Sequence, residues 1–178
     1  MSKHDLSKYT NAGYQPGRNA FVQVMWYITN ALFFKSSCVF SYGFKRALLR
    51  CYGAKVGKSV VIKPCVNIKY PWLLSVGENT WIGENVWIDN LAQVTIGNNC
   101  CISQGAMLLC GNHDYTKETF DLNIGQIILE DSAWVGAKAI VCPGVKMEDG
   151  SILTAGSVAT KDCLKDGVYQ GNPAIKKK

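Results

Sequence analysis

Aliphatic residues recur at every sixth position through the middle of the chain, and the residue four positions after each is small or branched. Glycine often follows the aliphatic residue, as in Val56-Gly57 and Ile82-Gly83. A period of six fits neither strand alternation nor a helical stripe, but it fits a short strand followed by a turn, with three such units closing a coil. The aliphatic positions are Val56, Ile62, Ile68, Val76, Ile82, Ile88, Ile96, Ile102, Leu108, Leu129, Val135, Val141, Met147, Leu153 and Ala159. The fifth positions include Val60, Val66, Thr80, Val86, Ala92, Cys100, Ala106, Ala133, Ala139, Val145, Ser151 and Ser157.

This pattern predicts an all-β fold, a parallel β-helix of about five coils over residues 56–162. The aliphatic side chain fills the interior of the coil. The fifth position stays compact because another side chain points inward nearby, and glycine permits turn backbone that a Cβ would strain. A β-sandwich of short strands is a weaker alternative, because its turns would not keep a period of six.

Interruptions of the repeat point to one corner of the coils. Twice the step lengthens from six to eight, across 68–76 and 88–96, at the same corner of successive coils. Across 108–129 the gap is much larger, which predicts an extruded loop at residues 113–128. The sequence Gly-Asn-His-Asp at 111–114 leads into it. Loops on rigid scaffolds concentrate binding and catalysis, so His113 becomes a candidate functional residue.

Residues 1–55 differ from the rest, with eight Lys or Arg against one acid, a balance of +7, while the remainder balances to −1. We expect a partly helical cap over one end of the coils, since repeat arrays need covered ends. Contact with an anionic membrane surface is the alternative. The apolar run 20–34 is shorter than the roughly 20 residues of a bilayer span. The start of the chain looks disordered, and residues 163–178 are interpreted as a C-terminal tail. The aromatic residues of the cap are Phe21, Trp26, Tyr27, Phe33, Phe34, Phe40, Tyr42 and Phe44.

The cysteines and basic residues exclude some classes of function. Eight cysteines without Cys-x-x-Cys spacing indicate reduced thiols, and no convincing secretory signal precedes them, so we expect a cytoplasmic protein, with the inner face of the membrane as a possible site of work. Only His4 and His113 are available to a metal, which argues against a zinc site and against a three-histidine carbonic anhydrase. Scattered basic residues without a binding motif argue against nucleic acid.

Short motifs add a family resemblance over about residues 56–175. They are Gly-Asn-His-Asp-Tyr at 111–115, Ala-Trp-Val-Gly-Ala at 133–137, Pro-Gly-Val at 143–145, Ala-Gly-Ser at 155–157, Thr-Lys-Asp at 160–162 and Gly-Asn-Pro-Ala at 171–174. Together with the repeat, they make the chain resemble the hexapeptide-repeat acyltransferases, closest to the colanic-acid-type polysaccharide O-acetyltransferases and the galactoside and maltose acetyltransferases. The resemblance implies a left-handed coil and a homotrimer with active sites between subunits.

The resemblance also implies an activity: transfer of acetyl from acetyl-CoA to a sugar hydroxyl, in a surface polysaccharide or a lipid-linked saccharide, with no metal required. His113 is then the general base, since imidazole exchanges protons near neutral pH. Two alternatives stay open. One is a xenobiotic O-acetyltransferase that acts on an antibiotic hydroxyl. The other is a non-catalytic β-helix that serves as an assembly module.

Further site residues follow from the resemblance. Trp134 walls the acyl-donor channel, and a backbone N–H near Gly136 or Ala137 is the candidate donor to the oxyanion. These assignments, and those of the donor and acceptor residues given next, each have a structural alternative. For Trp134 it is an exposed aromatic at a corner or a subunit contact, and for the lysines at 176–178 it is a solvated tail. For Asn85, Asp89 and Asn90 it is hydrogen bonding to turn backbone. The donor site comprises Trp134, Gly136, Ala137, Ala155, Thr160, Lys161 and Lys178, with Lys176 and Lys177 beside the last. The acceptor site comprises Asn85, Asp89 and Asn90.

Overall fold

A computed structural model describes residues 3–11, 13–38 and 41–178. Phe40, one of the aromatic residues of the expected cap, lies outside the described residues. Helices α1 (Ala20–Thr29) and α2 (Tyr42–Cys51) precede the strands, and a π-helical turn, Asn30–Phe34, continues α1. Two short 3-10 helices span Leu6–Lys8 and Pro71–Leu73.

The strands form three sheets that run along the molecule as the faces of a prism. Sheet A contains β1 (Lys55–Val56), β4 (Leu74–Val76), β7 (Val94–Ile96), β12 (Ile127–Leu129) and β15 (Lys146–Met147). Sheet B contains β2 (Val61–Ile62), β5 (Trp81–Ile82), β8 (Cys101–Ile102), β13 (Trp134–Val135), β16 (Ile152–Leu153), β18 (Val168–Gly171) and β19 (Ala174–Lys176). Sheet C contains β3 (Asn67–Ile68), β6 (Trp87–Asp89), β9 (Met107–Leu109), β14 (Ile140–Val141) and β17 (Val158–Ala159). A separate hairpin pairs β10 (Gly111–His113) with β11 (Leu122–Ile124).

The chain visits the sheets in the order A, B, C five times, and successive strands of each sheet pair in parallel, which confirms the predicted β-helix. A sixth coil begins where Cys163 bridges to Met147 and β18 adds to β16. The coil count is therefore slightly higher than the expected five. Residues 163–178 extend sheet B where a tail was expected, because Tyr169 is buried and β19 folds back on β18.

The interior is built as the repeat predicts. All fifteen aliphatic positions are buried, and the fifth positions named above are buried except Ala92, which is half-buried. Burial of one aliphatic side chain stabilises a fold by about 1.5–3 kcal/mol. Because each coil stacks its aliphatic residues on those of the next, the core is one continuous column.

The hexad glycines are needed for a reason other than the one expected from the sequence. A Cβ on Gly77 would lie 2.5 Å from the carbonyl carbon of Gly97 in the next coil, so close approach of the coils excludes a side chain. The left-handed backbone comes two residues later. The A–B and B–C corners are each four residues long, and the third residue has φ between 55° and 68°. These third residues are Ser59, Cys65, Asn79, Asn85, Asn99, Gly105, Ser132, Lys138, Gly150, Gly156 and Asp166.

The expected helical cap covers the first coil. Side chains of Asn19 and Ser41 cap the N-termini of α1 and α2 by accepting from Val22 N and Phe44 N. The buried residues Trp26, Phe34 and Leu49 join the core. The opposite side of α1 and its π-helical extension exposes the apolar side chains of Phe21, Val24, Met25, Tyr27, Ile28 and Leu32. In the described parts of the chain, no helix has the length and apolarity needed to cross a membrane.

Basic side chains of α2 donate hydrogen bonds to the unpaired backbone carbonyls at the edge of the first coil. Strand N–H groups of that coil donate to the second coil, as Gly57 N does to Val76 O, so the strand carbonyls of the first coil point toward the cap. Three side chains donate to them: Arg50 to Val56 O at 2.6 Å, Arg46 to Val60 O at 2.8 Å and Lys45 to Lys63 O at 3.0 Å. Burial lowers the pKa of the Lys45 ammonium. Much of the basic charge near the N-terminus therefore completes backbone hydrogen bonding.

Candidate active site

The extruded loop is a hairpin at the C–A corner of the third coil. The chain leaves the coil after Cys110, pairs β10 with β11 and rejoins sheet A at Ile127. The excursion therefore covers residues 111–126, whereas the sequence placed it at 113–128, because Ile127 and Ile128 already pair with β7. Within the hairpin, His113 pairs with Leu122.

His113 is held by its own hairpin. Its Nδ1 lies 2.9 Å from the carbonyl oxygen of Phe120, and the two rings stack with centroids 4.4 Å apart and an interplanar angle of 2°. A carbonyl oxygen only accepts hydrogen bonds, so we assign the proton of the neutral ring to Nδ1. Nε2 then carries a lone pair. The imidazole can therefore take a proton from a substrate through Nε2.

The start of the chain packs over this hairpin. We call residues 3–11 with 13 and 14 the N-terminal strap. Asp5 N donates to Glu118 O at 2.8 Å, and the side chains of Lys8 and Glu118 form an ion pair. The Tyr9 ring meets the His113 ring edge-on, with centroids 5.4 Å apart at 67°. The expectation of a disordered start is thus wrong for the described residues of the strap.

Sequence reasoning missed Tyr9 and Phe120 as neighbours of His113. The available signal was weak: the aromatic residues Tyr9 and Tyr14 stand in an otherwise polar segment. Tyr14 Oη donates to Leu91 O at 3.0 Å, which ties the end of the strap to the C–A corner of the second coil. Between the strap and β11 lies a polar cleft of about 490 Å³.

Local hydrogen bonds shape the tip of the hairpin. Asp114 accepts from Thr116 N and Oγ1 at 3.0 and 2.6 Å, which lowers the pKa of its carboxyl group. Hydrogen bonds from Thr119 and Lys117 lower the pKa of the Asp121 carboxyl in the same way. Both carboxylates are therefore charged at neutral pH and paired within the hairpin.

Four of the predicted donor-site residues cluster at sheet B and the B–C corner. Trp134 is about half exposed, and its Nε1 donates to Ser103 Oγ at 2.9 Å. Ala137 and Ala155 lie at the B–C corners of successive coils. The N–H of Gly136 donates to Leu153 O at 2.7 Å, which leaves Ala137 as the candidate oxyanion donor of this pair.

The other donor-site residues lie elsewhere. Thr160 and Lys161 are exposed at the C–A corner of the fifth coil, so sheet C separates them from Trp134. Lys178 is exposed at the far end of sheet B, where its carbonyl accepts from Val168 N at 3.2 Å.

The three predicted acceptor residues have different environments. Asn85 is exposed at the left-handed position of a B–C corner. Asp89 is the last residue of β6, next to the C–A corner, and its Oδ1 lies 3.0 Å from Lys69 Nζ. Asn90 is fully buried; its Oδ1 accepts from Tyr70 N at 2.9 Å, and its Nδ2 donates to Leu73 O at 3.1 Å. Its amide therefore braces the longer corner of the first coil.

A single chain thus assembles only part of the predicted site. Cys110 N donates to Asp89 O at 3.2 Å, which places Asp89 beside the base of the His113 hairpin. Trp134, Ala137, Ala155 and Asn85 lie across sheet C, at or near the B–C corner. Among the described residues, no group of three or more His, Cys, Asp or Glu side chains is arranged to hold a metal ion.

Comparison with known proteins identifies the family. A family model described as the hexapeptide repeat of succinyl-transferase matches residues 74–110 and 126–161, on both sides of the hairpin. The chain is also 36% identical over 171 residues to the putative colanic acid biosynthesis acetyltransferase WcaF of Escherichia coli K12, covering 96% of this chain and 94% of that protein. The chain belongs to the hexapeptide-repeat acetyltransferase family. The expected enzyme class, an acyltransferase, is thereby confirmed.

Other members of the hexapeptide-repeat acetyltransferase family are more distant. The galactoside O-acetyltransferase of E. coli is 28% identical over 137 residues, 72% of this chain and 65% of that protein. The Vibrio cholerae acetyltransferase VCA0836 in complex with acetyl coenzyme A superposes with a TM-score of 0.81 at 21% identity, over 100% of this chain and 98% of that one. A galactoside acetyltransferase in complex with coenzyme A gives 0.79 at 22% identity, over 95% and 84%. These two structures share the fold.

Proposed function

We propose that this hexapeptide-repeat acetyltransferase transfers acetyl from acetyl-CoA to a sugar hydroxyl, in a surface polysaccharide or its lipid-linked precursor. The observation that carries the proposal is the hydrogen bond between His113 Nδ1 and Phe120 O, which leaves Nε2 free to act as a base. The names of two relatives, a colanic acid biosynthesis acetyltransferase and a galactoside O-acetyltransferase, support a saccharide acceptor.

The proposed reaction is a direct transfer. Nε2 of His113 removes the hydroxyl proton as the sugar oxygen attacks the thioester carbonyl carbon. The new C–O bond forms first, and the tetrahedral intermediate then collapses with cleavage of the C–S bond. The proton held on Nε2 passes to the departing thiolate, so the histidine ends the cycle as it began. The N–H of Ala137 is the proposed donor to the oxyanion.

The donor groove is proposed to run along sheet B. From Trp134, the outer surface continues over β16, β18 and β19 to Lys176 and Lys178. Three strand spacings of about 4.8 Å make this path roughly 14 Å long, which suits an extended arm that ends in phosphate groups. Ala137 and Ala155 border the path at the B–C corner, where small side chains leave room. Thr160 and Lys161 would reach the same ligand only from another copy of the chain.

Completion of the site by a second copy is part of the proposal. His113 lies at the C–A corner and Trp134 on sheet B, so a partner that packs its sheet B against sheet C would bring the two together. The outward residues support this arrangement, because sheets B and C present apolar side chains and sheet A presents mainly polar ones. Outward residues of sheets B and C include Trp81, Trp134, Ile152, Trp87, Met107 and Ile140; those of sheet A include Lys55, Ser75, Thr95 and Lys146. A homotrimer satisfies this contact for every subunit.

For the acceptor, we propose Asp89 and Asn85. Asp89 lies next to the C–A corner that carries the hairpin of His113 and keeps a carboxylate next to Lys69, so it can accept from a sugar hydroxyl. Asn85 would approach from the B–C corner of a neighbouring copy. Asn90 is left out of this set because its amide is occupied by backbone groups.

The test of the proposal is acetylation of a panel of methyl glycosides by the purified enzyme, with the ester product detected by mass spectrometry. We expect His113→Ala to lower kcat by roughly 10²–10⁴-fold with the melting temperature retained. Thr95→Ala, on the polar face of sheet A, is the matched control. Transfer by His113→Ala at the wild-type rate would refute the assignment of the base. Antibiotic alcohols included in the panel separate the xenobiotic alternative.

Binding of the donor separates an enzyme from an assembly module. We expect acetyl-CoA and CoA to raise the melting temperature in a concentration-dependent way, because a ligand that binds the folded state stabilises it. Trp134→Ala should reduce this shift, whereas Thr95→Ala should not. An unchanged melting temperature at millimolar CoA would favour the non-catalytic alternative.

We also propose peripheral contact with an anionic membrane through the exposed side of α1. The surface is apolar at Phe21, Ile28 and Leu32, and Arg18 and Lys35 flank it. Cosedimentation with phosphatidylglycerol vesicles at low salt tests the contact, with phosphatidylcholine vesicles as the control. We expect Phe21→Ser with Leu32→Ser to abolish binding. Failure of the wild-type protein to bind at low salt would remove the membrane from the proposal.

A further inference from the structure

We infer that Tyr9 is a positioning residue for His113: the N-terminal strap presses Tyr9 against the imidazole and keeps the ring in the orientation in which Nδ1 faces Phe120 O. The inference rests on the proposed function only where it concerns turnover. The orientation of the ring can be measured without any acceptor.

Phe120 contacts His113 through both its backbone and its ring. The carbonyl oxygen binds Nδ1 at 2.9 Å while the phenyl ring stacks flat on the imidazole. Phe120 adopts φ of 50°, a left-handed conformation that bulky residues rarely take. Such strain persists where the surroundings enforce it, often at functional sites. The hairpin therefore presents one side of the imidazole with a stacking partner and a hydrogen-bond acceptor together.

The N-terminal strap adds ring contacts to Phe120 and His113 of the hairpin. The His4 ring packs against the Phe120 ring with centroids 4.8 Å apart at 31°, so Phe120 contacts two histidine rings, His4 from the strap and His113 from the hairpin. Tyr9 meets His113 edge-on. The strap is fixed in place by the contacts of Asp5 and Lys8 with Glu118.

Loss of Tyr9 would free the ring of His113 to rotate. A half-turn about the Cβ–Cγ bond exchanges Nδ1 with Cδ2 and breaks the hydrogen bond to Phe120 O, yet it keeps the stacking contact with the Phe120 ring. Stacking alone therefore does not define whether Nδ1 or Cδ2 faces the carbonyl. Tyr9 lies against the same imidazole, with ring centroids 5.4 Å apart at 67°, and so restricts the space that the ring needs for this half-turn. Tyr9 thus supports the hydrogen bond to Phe120 O in holding an orientation that stacking on the Phe120 ring does not fix.

The direct experiment is nitrogen NMR of ¹⁵N-histidine-labelled protein without ligands. The chain has two histidines, so His4→Gln assigns the spectrum. We expect His113 of the wild-type protein to be the Nδ1–H tautomer at pH 8. In Tyr9→Ala we expect a mixture of both tautomers, and Tyr9→Phe should restore the wild-type spectrum because it keeps the ring. Leu6→Ala, an exposed position in the 3-10 helix that precedes Tyr9, is the matched control.

Glu118→Gln provides a second variant that loosens the strap without touching the His113 ring. It removes the ion pair with Lys8 and should shift the tautomer ratio in the same direction as Tyr9→Ala, by a smaller amount. A wild-type tautomer in both Tyr9→Ala and Glu118→Gln would overturn the inference, whatever happens to the rate.

Kinetics then connect orientation to turnover, with acetyl-CoA and the methyl glycoside that reacts fastest. We expect Tyr9→Ala to lower kcat roughly tenfold, with KM for acetyl-CoA within about twofold, since the donor contacts are elsewhere. A mixed tautomer with a normal kcat would support the positioning role and count against His113 as the base. A lowered kcat with an unchanged tautomer would refute the positioning role.

Discussion

Two kinds of corner join the strands of this β-helix. The A–B and B–C corners are all four residues long and repeat one backbone conformation, with a left-handed third residue. The C–A corner varies in every coil: it holds a 3-10 helix, then a buried asparagine, then a sixteen-residue excursion that carries His113. Uniform corners fix the spacing of the coils. The C–A corner can hold functional residues, because the packing of the core does not depend on the length of this corner.

The largest effect should come from breaking the uniform stacking. We expect Gly77→Val to destabilise the protein by about 4 kcal/mol or more, since the new side chain would meet the backbone of Gly97 at 2.5 Å. Urea unfolding followed by circular dichroism measures the loss. The control is Gly144→Ala at the C–A corner, where a Cβ meets nothing within 4 Å and only φ of 83° opposes the change, at a cost of about 1–2 kcal/mol. Equal losses in the two variants would contradict the comparison.

Removal of the excursion should abolish activity and spare the fold. Replacing residues 110–126 by Pro-Gly copies the corner made by Pro143 and Gly144 one coil later. We expect cooperative thermal unfolding to persist while acetyl transfer falls by roughly 10³-fold or more, because the proposed base is lost. The melting curve and the acetylation assay are measured on the same preparation. Loss of the folded state would mean that the hairpin is part of the scaffold.

A smaller effect is expected at the left-handed position of a uniform corner. Asn99 has φ of 55°, which a β-branched residue adopts only with strain. Asn99→Val should cost about 1–2 kcal/mol in urea unfolding, whereas Asn99→Gly should cost nothing or stabilise slightly. If valine and glycine behaved alike, backbone conformation would not be what fixes these corners.

The last prediction concerns the core thiols at alkaline pH. Burial raises the pKa of the Cys100, Cys110 and Cys163 thiols to about 11, whereas thiols of an unfolded chain titrate near 8.5. The contribution of these thiols to the free energy of unfolding is complete below about pH 8.5. It is lost as pH rises toward 11, because the thiols of the unfolded chain release their protons first. Each thiol should account for about 1–2 kcal/mol between pH 8 and 10.5. Cys163→Ala should make the fall in urea stability shallower; Cys51→Ala, at an exposed position, should not.

The sequence was sufficient to predict the scaffold because every coil repeats the same pattern of buried aliphatic residues. Residues such as Ile62, Ile82 and Ile102 stack in one column, so the period identifies them without knowledge of the fold. The left-handed corner positions were missed, since Ser, Cys, Asn, Lys and Asp share them with glycine. Handedness came from the family resemblance alone and stays a prediction.

The candidate site was predictable only in part. His113 stands where the six-residue repeat is interrupted, and this position identified it as a candidate functional residue. Its partner Tyr9 lies more than a hundred residues earlier, and no local pattern records such a contact. Phe120 was hidden for a different reason: its contribution depends on a carbonyl oxygen and a left-handed φ, neither of which a side-chain pattern specifies.

The basic side chains over the first coil also bear on how copies of this molecule behave toward one another. A β-helix ends in an unpaired row of backbone carbonyls, which is a template for another strand. Arg50, Arg46 and Lys45 occupy that row from α2, and each fills its acceptor with a charged donor. An incoming strand would have to displace them. Growth of the coil into an end-to-end fibre is therefore blocked at this end by the same charges that give the N-terminal segment its basic character.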